Sequence, residues 1–356
     1  MDIKITVSEN RKTKPKFGQE AFPFAKVSTD HMFLMDYSSE KGWYDPRIVP
    51  FGMLPIHPFM NGLHYGQSIF EGMKAYKTPD GGALLFRPYE NAARLNTSAR
   101  RMCMPEIDPS FTVEAITKLV QLDKDWIPDI PGMSLYIRPF MMASEPSINV
   151  MVPSEYIFAV ILSPLGHIYP GGIKPIHLLA EDKYVRAAKS GTGFAKCAGN
   201  YAGAMLAMSQ AKARGFDQVL WLDGVHRKYI EEASTMNIFF AIENSVVTPE
   251  LNDSIIAGIT RKSISEMLED WGYTLEERRI SIEELSKAHH AGKVREVFCT
   301  GTATVITPIG EITWGDLKMT FNQKEVGSLT KRVYDELTGI QTGILPDSRG
   351  WTVRIA

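Results

Sequence analysis

Four short segments gather reactive side chains among small residues, a mixture that a packed core does not favour. The first is Lys189-Ser-Gly-Thr-Gly-Phe-Ala-Lys196-Cys-Ala-Gly-Asn-Tyr201, where Lys196 stands among Ala195, Cys197, Ala198 and Gly199 with no adjacent charge. Desolvation in a tight apolar setting penalises the ammonium form of a lysine. A neutral amine can form a Schiff base with a carbonyl. Taken alone, a surface lysine in a glycine-rich loop is the commoner meaning of such a segment. The second is Ile230-Glu231-Glu232-Ala-Ser-Thr-Met-Asn237-Ile-Phe-Phe240. A carboxylate aimed at a ring nitrogen keeps a pyridine protonated, as an electron-sink cofactor requires. Glu232 is the better choice for that task, and Glu231 reads as a strand-end acid in solvent. The third is a pair of small turns. Ala257-Gly258-Ile259-Thr260 opens a helix whose first N–H groups could hold a phosphate, and Gly301-Thr302-Ala303 is the other. Each also fits an ordinary helix cap or hairpin turn. In the fourth, Leu135-Tyr136-Ile137-Arg138-Pro139, strand alternation sends Tyr136 and Arg138 to one face. Together they make either a carboxylate grip or a salt-bridged edge strand.

These segments need elements to position them. Ala83–Phe86, Ser134–Met142 and Tyr156–Leu162 have strand composition. Arg87–Arg101 and Thr112–Trp126 read as helices, the second with Ala115, Ile116, Leu119 and Val120 on one stripe. The stretch 163–172 has two prolines and three glycines and reads as a linker. Beyond it, Pro175–Ala180 and Gln218–Leu222 read as strands around a helix over Asn200–Ala213, whose predicted inner stripe is Tyr201, Ala204, Met205 and Met208. Further helices are expected at Ile259–Asp270, at Ser281–His289 with a capping box from Ser281 to Glu284, and at Asn322–Leu337. Glu296–Cys299 and Thr304–Thr307 flank the second turn as strands. The expectation is an α+β (mixed α/β) protein with an N-terminal domain at 1–162, a linker at 163–172 and a C-terminal domain at 173–356, and a ligand cleft at the junction.

Composition narrows the function. The chain has 356 residues, enough for about two domains of roughly 150 residues. With 44% hydrophobic and 22% charged residues it is globular in composition, which excludes disordered and fibrous classes. Lys+Arg 39 against Asp+Glu 41 leaves no basic excess to hold a nucleic acid. The cysteines Cys103, Cys197 and Cys299 are too scattered for a disulfide framework or a metal site, and His64, His289 and His290 lack ligand spacing, so no metal is expected. The opening residues lack a signal-peptide core, and the greasiest run, Tyr156–Leu165, is too short to span a bilayer. A cytoplasmic protein without membrane attachment is expected.

In combination the segments resemble the branched-chain amino-acid aminotransferases, pyridoxal-phosphate enzymes of fold type IV. The resemblance runs from about Pro46 to Pro308. It is carried by HYGQSIFEGMKAY (64–76), LLFRPYENAARLNTSARRMCMP (84–105), YIRPF, GTGFAKCAGNYA, EEASTMNIFF, AGITR and GTATVITP. It implies a smaller N-terminal α/β domain and a larger C-terminal pseudo-barrel-like domain, usually in a homodimer where one subunit's small domain reaches the other's site. It implies pyridoxal 5′-phosphate as cofactor, with Lys196 as the Schiff-base and proton-transfer residue, Glu232 on the ring nitrogen and Tyr201 on the 3′-oxygen. Arg94, Ile259, Thr260 and Thr302 would hold the phosphate. Thr302, Ala303 and Tyr136 would hold the substrate α-carboxylate, Tyr65 and Phe70 would wall an aliphatic pocket, and Arg138 would meet the distal carboxylate of glutamate. The implied reaction exchanges amino groups between leucine, isoleucine or valine and 2-oxoglutarate. Thr304 and Thr307 stand where some animal members carry a CxxC pair, so no thiol switch is expected there. Two sister activities share the fold, D-amino-acid aminotransferase and aminodeoxychorismate lyase; EGMKAY and YIRP speak against both. A cofactor-binding protein that has lost catalysis would not need Lys196, Glu232 and Tyr201 together, and a binding module without cofactor would be colourless.

Overall fold

The computed structural model describes residues 1–15, 26–166 and 172–355. Two compact units make up the chain, one of Met1–Pro170, Ala195–Gly199 and Thr338–Ala356, the other of Gly171–Phe194 and Asn200–Leu337. Each contains a nine-stranded sheet among the described residues.

In the first unit the strands are β1 (Lys4–Ile5), β2 (His31–Ser38), β3 (Gly42–Pro50), β4 (Ser68–Phe70), β5 (Met73–Lys77), β6 (Ala83–Phe86), β7 (Ser134–Ala143), β8 (Glu155–Leu165) and a C-terminal strand, Thr352–Ile355. Their order is β1-β3-β2-β8-β7-β5-β6 followed by the C-terminal strand, with β4 beside β7. The helices are the short α1 (Asn61–Tyr65), α2 (Pro88–Arg101) and α3 (Pro109–Leu122). Alternation along β7 decides which side chains face the helices. Leu135 and Ile137 join Phe33, Leu85, Phe158 and Val160 in one core with Leu95 and Ala99 of α2 and Ile116, Leu119 and Val120 of α3. Tyr136 and Arg138 therefore emerge on the opposite face. A one-residue slip would exchange the two sets, and burial of each large apolar side chain contributes about 1.5–3 kcal/mol against it. Pairing of β7 with β8 over Ser134↔Leu165 to Ala143↔Tyr156 locks that register. Helix α3 starts earlier than expected because Asp108 caps it, accepting from the Ser110 N–H at 2.7 Å, with Pro109 in the first turn. It stops at Leu122, and Lys124–Trp126 form a separate 3-10 turn.

Three boundaries differ from the sequence expectation. Strand β8 runs to Leu165, so the stretch expected as a linker opens inside a strand; residues 167–171 lie outside the described residues. The C-terminal strand pairs antiparallel with β6, and Cys197 bridges to Ile69, so both tail and lysine segment belong with the N-terminal unit. That unit is thereby the larger of the two.

The second unit contains β9 (Ile176–Glu181), α4 (Ala198–Ala213), β10 (Gln218–Leu222), β11 (Ile230–Ala233), β12 (Asn237–Ile242), β13 (Ser245–Thr248), α5 (Ile259–Asp270), β14 (Thr274–Glu277), α6 (Ile282–His290), β15 (Val294–Gly301), β16 (Val305–Trp314) and β17 (Leu317–Thr320). The sheet order is β11-β10-β9-β16-β15-β12-β13-β14, with β17 beside β16. The inner face of α4 keeps Ala204 and Met208 of the predicted stripe but not Met205. Ala204, Ala207 and Ala211 pack on Leu179, Val219 and Trp221, while Met205 is 64% exposed. Small residues let the helix approach the sheet closely, and proximity wins over side-chain size. Ser281 caps α6, its Oγ accepting from the Glu284 N–H at 3.0 Å. The last helix, α7 (Ser328–Gln341), begins later than expected because the Glu296 carboxylate caps it, accepting from the N–H groups of Leu329 and Thr330 at 3.0 and 2.9 Å.

Candidate active site

Lys196 is fixed through its backbone on both sides. Its N–H donates to Ser98 Oγ at 2.9 Å, and its carbonyl accepts from the Phe70 N–H at 3.0 Å. The side chain is half-buried, with Nζ 4.9 Å from the centroid of the Phe70 ring. Arg138 approaches the same ring, its guanidinium carbon 4.6 Å from the centroid, and its Nη2 donates to Tyr136 Oη at 3.0 Å. Cations over an aromatic face are attracted by about 0.5–2 kcal/mol, which orients both heads around Phe70. Gly72 makes room for the phenol: a Cβ there would lie 2.2 Å from Tyr136 Oη. Lys74, the cross-strand partner of Tyr136, is buried, and burial lowers its pKa to about 7.

Arg94 engages both oxygens of Glu71, through Nε at 2.7 Å and Nη2 at 2.9 Å. Burial pushes the Glu71 carboxyl up, but the Arg94 guanidinium, with Lys196 and Asn91 adding to it, outweighs burial and holds it below the ordinary value. The carboxylate is therefore a permanent brace for the guanidinium. Tyr65 stands apart from this group. It closes α1, is 46% exposed, and its phenol donates to the Ile148 carbonyl of a surface loop.

The second unit builds its own constellation. Glu232 on β11 is 2% exposed; Oε1 accepts from the Ile256 N–H at 2.9 Å, and Oε2 lies 3.0 Å from Arg186 Nε. Arg186 also reaches the carbonyls of Gly193 and Ser254. Asn237 Nδ2 donates to the Ile256 carbonyl at 3.0 Å, and a Cβ on Gly258 would lie 2.0 Å from Asn237 Oδ1. Only glycine fits there. Helix α5 thus starts at Ile259 with no side-chain cap and no acid in its first turn, so Ile259 and Thr260 open an electropositive end. Asn237 pairs with Thr300 across β12 and β15, which brings the turn holding Thr302 and Ala303 alongside. That turn is strained: Val305, a β-branched residue, has φ 62°. Thr300 Oγ1 restrains it by donating to the Val305 carbonyl at 2.9 Å. Tyr201 sits in the first turn of α4 beside Asn200, which exchanges hydrogen bonds with Thr192 at 2.7 and 2.8 Å.

Glu231 is a correction. It is 5% exposed and meets Ser254 Oγ rather than solvent, because β11 is buried on both faces. Sequence reasoning also missed Ser98, Glu71, Gly72 and Arg186. Ser98 follows Arg94 by four positions, so helical periodicity placed both on one face. Arg186 carries no such signal, since its pairing with Glu232 spans 46 residues of chain. Among the described residues no group of His, Cys, Asp or Glu could hold a metal ion, and no helix is long and apolar enough to cross a membrane.

Residues 68–312 match the family model described as amino-transferase class IV. Over 354 residues the chain is 49% identical to branched-chain-amino-acid aminotransferase 2 of Bacillus subtilis (strain 168), covering 99% of this chain and 97% of that protein. Its fold is similar to the crystal structure of the Escherichia coli branched-chain amino acid aminotransferase, with a TM-score of 0.76 at 26% identity over 93% of this chain and 100% of that one. It is also similar to the T.th. branched-chain amino acid aminotransferase with pyridoxamine 5′-phosphate, with a TM-score of 0.75 at 26% identity over 90% and 98%.

Proposed function

The chain belongs to the amino-transferase class IV family and is an aminotransferase of branched-chain amino acids, and from that premise we propose that it exchanges amino groups between L-leucine, L-isoleucine or L-valine and 2-oxoglutarate on bound pyridoxal 5′-phosphate. The observation that carries the proposal is the setting of Lys196, half-buried, anchored by Ser98 and Phe70, and accompanied by the Tyr136–Arg138 pair. A single covalent cofactor serving both half-reactions makes the course ping-pong.

The donor set suits that cofactor. The uncapped, acid-free start of α5 fits a phosphate, the buried Glu232 fits a protonated ring nitrogen, and Lys196 is the amine. When bound, pyridoxal phosphate supplies a carbonyl for amines and an electron sink for the charge that develops at the substrate Cα. The residues do the rest. Arg94, oriented by Glu71, and the Ile259 and Thr260 amides with the Thr302 hydroxyl hold the phosphate. Arg186 and the Ile256 N–H keep the Glu232 carboxylate aimed at the ring nitrogen, while Tyr201 hydrogen-bonds the 3′-oxygen. Lys196 Nζ would serve as the proton carrier, a general base toward the substrate Cα and then, protonated, the general acid that gives the proton back. Tyr136 and the Thr302–Ala303 amides grip the α-carboxylate.

One pocket must accept a leucine side chain and then the distal carboxylate of glutamate. Phe70 offers the first an apolar wall. Arg138, already resting on that ring, offers the second a charge without being stranded beside the first.

A homodimer belongs to the same reading. Phe59 just before α1 and Leu63 and Tyr65 on it are exposed, Ile148 and Val150 are exposed on a loop, and the Asn61 amide ties the two segments through the Asn149 carbonyl. A second copy would cover this apolar face, with Tyr65 serving the partner's site. We place the enzyme in the cytoplasm.

The test is Lys196→Ala. A roughly 10²–10⁴-fold loss in the half-reaction with L-leucine, with secondary structure intact, is expected for removal of the proton-transfer base. An unchanged rate would remove Lys196 from the mechanism.

A further inference from the structure

The second unit contains a cavity of about 290 Å³ lined by none of the residues given a role above. Its floor includes Glu231, Ser254 and Ile255, and Lys189, Glu250 and Arg279 stand exposed around it. Glu231 Oε1 meets Ser254 Oγ, but Glu231 Oε2 is buried and has no hydrogen-bond partner among the described residues. A buried carboxyl oxygen left without a donor, on a residue only 5% exposed, is costly, and a native fold tolerates it where something else supplies that donor. Burial raises the pKa of this carboxyl, against the pull of Ser254 and Arg186, so a cationic donor at Oε2 would meet a group that gains from it. The other nearby carboxylate, Asp223, is committed: it accepts from the N–H groups of Val225, His226, Lys228 and Tyr229.

At the mouth the balance reverses. The Arg279 guanidinium stacks 3.5 Å over the Tyr229 ring, which fixes a cation against the cavity wall, and Lys189 adds a second against the single carboxylate of Glu250. An acid at the floor and cations at the mouth suit a ligand with an ammonium at one end and a carboxylate at the other. The volume, at the low end of ligand pockets, limits it to a small one.

We propose that this cavity is a second binding site, taking a free amino acid in zwitterionic form with its ammonium against Glu231 Oε2 and its carboxylate toward Lys189 and Arg279. The floor is joined to Glu232 by a short strap: the Ser254 carbonyl accepts from Arg186, and the Ile256 N–H donates to Glu232. Occupation therefore bears on the carboxylate read above as the ring-nitrogen partner, a consequence that rests on that reading although the binding itself does not.

L-Proline is the probe, because its secondary ammonium keeps two N–H donors yet cannot donate an amino group by transamination. Calorimetric titration of the holoenzyme should show binding. Glu231→Gln should weaken it at least about tenfold, the scale of a hydrogen bond between charged groups. The pair Lys189→Met and Arg279→Met, which leaves the floor untouched, should weaken it similarly. Lys196→Ala should leave it unchanged, whatever becomes of its reaction with L-leucine. No binding at millimolar L-proline overturns the proposal. So does binding lost with Lys196→Ala but kept with Glu231→Gln, or equal binding of N,N-dimethyl-L-proline, which lacks N–H donors.

Discussion

Replacing Lys74 by methionine is expected to stabilise the protein near neutral pH, although lysine is the more soluble residue. The side chain is 6% exposed, and burial moves its pKa from 10.5 to about 7. At about 1.4 kcal/mol per pH unit, that difference corresponds to up to about 5 kcal/mol held against the folded state. Above the unfolded value both states are neutral and nothing is lost. Between about 10.5 and 7 the unfolded chain binds more protons, so stability falls as pH falls, and below about 7 the full penalty is present. Lys74→Met removes the ionisable group while keeping a flexible chain of similar length. Urea unfolding of both proteins from pH 6.5 to 10 should give a rising stability for the wild type that the variant lacks. The curves should approach one another at the alkaline end and lie furthest apart near neutrality. A variant that is less stable than wild type at pH 7, or that keeps the same slope, would mean that the buried Lys74 ammonium is not a burden on the fold.

Other perturbations separate the parts of the site. Gly72→Ala drives a methyl into the Tyr136 phenol, so KM for amino acids should rise on the order of tenfold while the cofactor remains bound; unchanged KM would remove Tyr136 from the carboxylate grip. Glu232→Ala strands the buried Arg186 and should lower stability by about 3–5 kcal/mol as well as slow both half-reactions, read by thermal unfolding and single-turnover rates; a normal half-reaction would move the ring-nitrogen role elsewhere. Arg138→Ala should harm glutamate and 2-oxoglutarate far more than leucine, and equal losses in kcat/KM would place Arg138 outside the distal pocket.

The candidate site residues left more trace in the sequence than the residues that brace them. Lys196, Glu232 and the opening of α5 each leave a short-range mark (small residues around a lysine, an acid before a strand, a glycine before a helix), but singly each mark also fits a surface lysine, a solvated acid or an ordinary helix cap, and only their combination singled them out. Strand β7 was legible for the same reason: alternation is a local property and it assigned Tyr136 and Arg138 to one face. What braces these residues was not legible. Arg186 reaches Glu232 and Glu71 reaches Arg94 across long stretches of chain, and only folding makes such pairs neighbours. The inner face of α4 shows the complementary error. Hydrophobicity favoured Met205, but close helix–sheet approach selected the alanines. Glu231 looked solvated because strand-end acids usually are, and nothing local indicated that β11 is covered on both sides.

Every role proposed for the site depends on Lys196 and its neighbours holding pyridoxal phosphate for L-amino acids. The most direct test is the absorption spectrum of the purified protein, titrated separately with L-leucine and with D-alanine. A visible cofactor band that converts to the aminated form with L-leucine and is unmoved by D-alanine is expected. Conversion with D-alanine alone would contradict the substrate assignment, and a colourless protein after addition of pyridoxal phosphate would contradict the role of Lys196 itself.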